Sequence, residues 1–167
     1  MTLEELNSFD QDRFVKAVGW VFENSPWVAQ RAWEHRPFAS REILLEALVS
    51  QVQEATPEEK LALLCAHPDL GTRAAVSEAS SGEQAGAGLD RLSPGEFERL
   101  SRLNLAYRAK FGFPFLLAVK RATKNTIFET LERRLNASTE SERREALKQV
   151  YRIAEFRLRD SVKDAAK

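Results

Sequence analysis

Cysteine is almost missing from this chain: Cys65 is the only one in 167 residues. A lone thiol excludes an internal disulfide and suits a reducing compartment. Histidine is nearly as scarce, with His35 and His67 alone, so no zinc-ligand spacing exists and no metal is expected. An excess of charge of either sign is missing too. Lys plus Arg and Asp plus Glu number 25 each, which leaves no net field to draw in nucleic acid or an acidic membrane. The basic pairs Arg133-Arg134 and Arg143-Arg144 lie among glutamates and read as solvated helix faces. No apolar run approaches the roughly 20 residues that cross a bilayer. MTLEELNSFD lacks the form of a signal peptide, and SVKDAAK is not a Ser-Lys-Leu address, so the expected location is the cytosol. GxGxxG and Walker patterns are absent, and GAG at 86–88 is too short to carry phosphate binding.

What is present is helix. With 43% hydrophobic and 30% charged residues, the chain has the balance of a soluble globular protein, and its length suits one domain spanning 1–167. Ser8-x-x-Gln11, Thr56-Pro57-Glu58-Glu59, Ser93-Pro94-Gly95-Glu96 and Thr139-x-x-Glu142 each place a hydroxyl three residues before Glu or Gln, the pattern of a capping box. Ser25-Pro26 gives a further start. Apolar stripes follow at helical spacing: Phe14, Ala17, Val18, Val21 and Phe22; Ile43, Leu44, Ala47, Leu48 and Val52; Ala146, Val150 and Ile153. FGFPFLLAV at 111–119 has strand-like composition, but a lone extended segment makes no sheet. The expected fold is all-α, a bundle of about seven or eight helices with irregular segments at 67–92 and 111–120 lining an active site.

Function is sought where local rules are broken. Pro68 forces His67 out of the helical region, at the end of a helix holding Leu61, Leu63 and Leu64, and Gly71 then permits a turn. A histidine fixed at such a corner is either a general acid or base, or a capping residue. Glu83-Gln84 sits among small residues, which fits a cavity wall, and fits equally a helix start with Ser80 as N-cap. The stripe Ala146, Val150, Ile153 runs on to Arg157, which on an apolar face needs a partner: a structural carboxylate, a substrate oxygen, or solvent where the stripe drifts near the helix end. Asn104 falls on the stripe Phe97, Leu100, Tyr107, Phe111 and reads as a core amide bonding irregular backbone nearby. Cys65 continues an apolar segment and reads as core.

AHPDLG at 66–71, Ser80-x-x-Glu-Gln followed by AGLD, LNLAYRAKFGFPF at 103–115 and AEFRL at 154–158 together resemble the 2-oxo-4-hydroxy-4-carboxy-5-ureidoimidazoline (OHCU) decarboxylase family. FENSPW at 22–27 and RPF at 36–38 follow the same pattern, in the same order along the chain. The pattern departs at Ala79, where an acidic residue is common and Glu78 lies one position earlier.

The resemblance implies an all-helical carboxy-lyase of urate breakdown that needs no cofactor and releases CO2 from OHCU to leave (S)-allantoin. It implies His67 and Glu83 as catalytic residues. Pro68, Ser80, Gln84, Phe113, Pro114, Phe115, Leu116 and Arg157 would bind substrate, with the FGFPF segment as backbone and apolar wall. His67, Glu83 and Arg157 are expected to meet around one dry pocket. The implied partner is a small molecule, with no nucleic acid and no membrane, and a homodimer is left open. The alternative reading is a helical module that binds a ureide or purine metabolite without turnover.

Overall fold

The computed structural model describes residues 1–72 and 77–164, and among them every named element is helical. In chain order these are α1 (Leu3–Ser8), α2 (Gln11–Val18), α3 (Trp27–Ala32), α4 (Arg41–Gln53), α5 (Pro57–Cys65), α6 (Glu78–Gly86), α7 (Pro94–Phe111), α8 (Lys124–Leu135) and α9 (Thr139–Ser161). Short 3-10 turns at Gly19–Val21 and Trp33–His35 follow α2 and α3. The sole strand-like pairing among the described residues is an isolated parallel bridge between Thr2 and Lys163.

The helix starts separate local from tertiary control. Thr56 and Ser93 form the expected capping boxes with Glu59 and Glu96, each followed by Pro at the first turn. Thr2 with Glu5 makes a third box that the sequence reading passed over. Two expected caps move. Ser8 closes α1, and Asp10 caps α2 by accepting from the Arg13 N–H. Ser138, not Thr139, accepts from the Ser141 N–H at the start of α9. In both cases a competent side chain lay one or two residues from the one chosen.

The box glutamates predict an acid response. Each accepts its N-cap N–H, at 2.7 Å for Thr2, 3.2 Å for Thr56 and 2.9 Å for Ser93. The Thr2 N–H bond holds Glu5, the Arg31 guanidinium holds Glu59 and the Ser93 N–H bond holds Glu96 below the ordinary carboxylate value of 4.5. A group depressed in the folded state stabilises above its unfolded value and loses that contribution as pH falls through the folded one. The thermal midpoint should therefore be flat above about pH 5 and fall below it. Glu5→Gln, Glu59→Gln and Glu96→Gln together should flatten that fall in a series of melts.

The chain divides into two compact units, Met1–Ala66 with Tyr151–Lys167, and His67–Val150. In the first, Phe14, Val18, Val21 and Phe22 are buried, though Gly19 breaks their helix into a 3-10 turn. Leu44, Leu48 and Val52 of α4 are buried as well, while Ile43 turns outward at 44% exposure. Asn7 pairs with Phe38 through both its amide ends, at 2.9 and 2.8 Å, which seats the Phe38 ring 6.0 Å from Phe14.

In the second unit, Tyr107 is the hub. The Phe111, Phe113 and Phe115 rings lie 4.5, 5.9 and 5.4 Å from its centre, the last two edge-on. Its hydroxyl donates to Glu142 at 2.5 Å, and burial first, then that bond, push the phenol far above its usual range. Arg134 Nε donates to the same carboxylate oxygen at 2.6 Å, and its Nη1 to the Leu116 carbonyl at 2.6 Å. Nη2 approaches that carboxylate oxygen at 2.5 Å without hydrogen-bond alignment. Arg134 is thus a buried cation, against the solvated face expected for the Arg133-Arg134 pair. Gly112 at φ 79° ends α7, and the chain from there to α8 holds neither helix nor strand. Of the two irregular stretches expected, this one is uninterrupted, whereas 67–92 is broken by α6.

Candidate functional site

The second unit opens on the residues that carry the most specific motif. Ala66 closes α5, and Pro68 keeps His67 from extending the helix. His67 is buried, as are Leu70, Ser80 and Gln84, while Pro68 is half-buried. The turn tightens where the Thr72 N–H reaches the Asp69 carbonyl and Gly71 takes φ 73°. A Cβ on Gly71 would stand 2.5 Å from a methyl of Leu100, so a larger residue would have to displace that side chain as well as adopt a backbone that favours glycine. Arg108 of α7 reaches Asp69 at 3.1 Å in an exposed pair that contributes little.

Helix α6 starts at Ser77, whose hydroxyl accepts the Ser80 N–H at 3.1 Å. Ser80 is therefore inside the helix and not its N-cap, a correction of one turn. That shift has a consequence for chemistry. With α6 running from Glu78, residues 80, 83 and 84 share one face, because positions three and four apart are neighbours. Ser80 and Gln84 are buried on it and Glu83 is half-buried. The Gln84 Oε1 accepts the Gly71 N–H at 2.9 Å, so this face is joined directly to the turn that begins at His67. A cavity of about 590 Å³ lies beside the join, with Gly71, Thr72, Gln84, Asp90, Leu92 and Phe97 among its lining residues. Of the expected site residues only Gln84 lines it.

Phe113, Pro114, Phe115 and Leu116 are all buried. The two phenylalanine rings pack edge-on against Tyr107. Gln149 Oε1 accepts the Ala118 N–H at 3.0 Å and, with Arg134 at the Leu116 carbonyl, fixes that backbone at two points. Cys65 is exposed, against the core position expected for it. The α5 face that points inward carries Leu63 and Leu64 instead.

Arg157 belongs to the first unit and is 3% exposed, so the stripe of α9 does not drift to solvent there. Its Nη2 donates to Glu23 Oε2 at 2.9 Å, and its Nη1 to the Trp20 and Val21 carbonyls at 3.1 and 3.4 Å. The structural carboxylate that the sequence left as one option is present, and it is the glutamate of FENSPW. Sequence reasoning missed Glu23 as a functional partner, because the 3-10 turn before it breaks the helical period.

A profile of the OHCU decarboxylase family matches residues 7–159, a span that takes in the His67 turn, the α6 face and Arg157. The chain belongs to the OHCU decarboxylase family. It is 48% identical over 160 residues to the 2-oxo-4-hydroxy-4-carboxy-5-ureidoimidazoline decarboxylase of Halalkalicoccus jeotgali, covering 96% of this chain and 91% of that protein. The Haloferax volcanii protein of the same name is 48% identical over 158 residues, covering 95% and 94%. A uric acid degradation bifunctional protein of Bacillus sp. is 41% identical over 96% of this chain but only 32% of its own length. Among solved structures, an (S)-allantoin synthase superposes with a TM-score of 0.77 at 32% identity, over 97% of this chain and 54% of that one. An OHCU decarboxylase solved in the presence of (S)-allantoin superposes at 0.71 with 19% identity, over 90% and 97%, which supports the family's all-helical fold.

Proposed function

We propose that this protein decarboxylates OHCU to (S)-allantoin and CO2, with His67 and Glu83 as its catalytic residues. The observation that carries the placement is the join between the Ser80, Glu83 and Gln84 face and the His67 turn through the Gly71 N–H. It puts an imidazole, a carboxylate, a hydroxyl and an amide on two elements tied to each other. Such preorganisation is what a reaction without much covalent help from the protein needs.

The substrate supplies its own electron sink. Its carboxylate departs from C4, one carbon from a ring imine. As the C4–carboxylate bond breaks, the pair moves into a C4–C5 double bond and the imine nitrogen takes up a proton, giving an enamine. The 4-hydroxyl then becomes the ring amide carbonyl by losing its proton, and C5 receives one to become the new stereocentre. His67 handles a proton, either at the 4-hydroxyl or at the new stereocentre. Glu83 holds His67 or that hydroxyl. A carboxylate beside the leaving carboxylate also disfavours the ground state. Ser80, Gln84 and Arg157 read substrate oxygens, and Pro68 and the backbone of Phe113–Leu116 bound the site. Arg157 would do this with a guanidinium already oriented by Glu23 and two carbonyls.

A cytosolic location completes the reading and fits a chain with a single cysteine. The test is freshly made OHCU followed by absorbance and circular dichroism. The expected result is accelerated decay to one enantiomer of allantoin. Racemic allantoin formed at the uncatalysed rate would instead leave a protein that binds the metabolite without converting it.

A further inference from the structure

Within the turn entered at His67, one peptide is gripped at both of its polar ends. The Leu70 carbonyl and the Gly71 N–H are the two polar ends of one planar unit. Asn104 Nδ2, from α7, donates to that carbonyl at 2.9 Å, and Gln84 Oε1, from α6, accepts from that N–H at 2.9 Å. Both amides are buried, Asn104 at 6% exposure and Gln84 at 8%. The peptide plane cannot rotate without breaking both bonds. Neither amide can be flipped either, since Asn104 must present its nitrogen to a carbonyl and Gln84 its oxygen to an N–H.

Two consequences follow from the fixed orientations. Among the described residues the buried Asn104 Oδ1 has no hydrogen-bond partner, which is costly for an amide whose only task is to fill space. The residue is there for its donor. Gln84, with Oε1 committed to Gly71, has only Nε2 left to offer, and among the described residues nothing accepts from it.

We propose that Asn104 and Gln84 clamp the Leu70–Gly71 peptide so as to position His67, and that the clamp turns Gln84 to show a ligand an N–H donor. Asn104 is thus a positioning residue, and Gln84 selects a carbonyl or carboxylate oxygen on the substrate. The choice of OHCU as that substrate rests on the decarboxylase reading, whereas the clamp itself does not.

Amide hydrogen exchange at Gly71, together with kcat and KM on OHCU, tests both parts. In the wild type the Gly71 amide should exchange at least about tenfold more slowly than an unstructured amide. Asn104→Leu and Gln84→Met should each release it. Asn104→Leu removes one orphan acceptor and creates another at Leu70, so its melting point should move little. Its kcat should fall about 10²-fold with KM unchanged, as expected when a positioned group is displaced. Gln84→Glu keeps the acceptor for Gly71 but replaces the donor, so protection should persist while KM rises by about tenfold or more. A wild-type Gly71 amide that exchanges freely, or one still protected in both Asn104→Leu and Gln84→Met, would overturn the clamp. An unchanged KM in Gln84→Glu would overturn the donor assignment. Wild-type protein that protects Gly71 yet does not turn over OHCU would overturn the decarboxylase reading and leave the clamp standing.

Discussion

His67→Asn is expected to lower kcat on OHCU by about 10²–10⁴-fold, the usual contribution of a positioned acid or base. The substitution suits its surroundings. Asparagine accepts the extended backbone that Pro68 imposes, retains a polar side chain at a buried position and adds no volume. The melting point should therefore stay within a few degrees of wild type. A steady-state assay with fresh OHCU, run beside a thermal melt, separates lost chemistry from lost fold. Unchanged turnover in a folded variant would remove His67 from the mechanism.

The second large effect is on stability. Glu142→Gln should cost about 3–5 kcal/mol, because it leaves Arg134 buried with no counter-charge. Arg134 and Glu142 are 5% and 1% exposed, and the one carboxylate oxygen serves both the guanidinium and the Tyr107 hydroxyl. The loss should appear in urea titrations as a lower midpoint with an unchanged slope. Removing the whole network behaves differently. Tyr107→Phe, Arg134→Met and Glu142→Leu combined should recover much of the stability, as apolar replacements of buried ion pairs often do. That triple variant also frees the Leu116 carbonyl, so it should melt closer to the wild type than Glu142→Gln does and yet turn over OHCU more slowly than the wild type. Equal loss in the single and triple variants would show that the residues stabilise through shape and not through paired charge.

The buried pair also shows how far the sequence could be read. Arg157 stands out in the sequence as a polar residue continuing the stripe Ala146, Val150, Ile153. Four positions before Ala146 the same stripe meets Glu142, and the stripe Ile127, Phe128, Leu131 of α8 runs on to Arg134. Period alone therefore marks three of the chain's buried charges. Composition pulled the other way: LERRL and SERRE are dense in charge and read as solvated. Glu23 carried no such mark, since its partner is fixed by a 3-10 turn and by chain 134 residues away.

The candidate site was legible wherever backbone restriction wrote it. Pro68 fixed the exit from α5, and Gly71 fixed the turn that follows. Asn104 was recognised as a core amide bonding nearby irregular backbone, and its partner is the Leu70 carbonyl. The role of Gln84 at Gly71 was not legible, because a side-chain oxygen thirteen residues away leaves no period. The packing of the FGFPF rings was not legible for a related reason. Apolar residues at a core position and at a pocket wall look the same in a sequence, and Tyr107 claims both phenylalanine rings.

The most direct measurement is a crystal structure of the protein with (S)-allantoin bound. The account predicts the ligand within hydrogen-bonding distance of the His67 imidazole, with a ligand oxygen on Gln84 Nε2 and Gly71 still bonded to Gln84 Oε1. Allantoin seated away from His67, Glu83 and Gln84, in a protein that turns over OHCU, would contradict it.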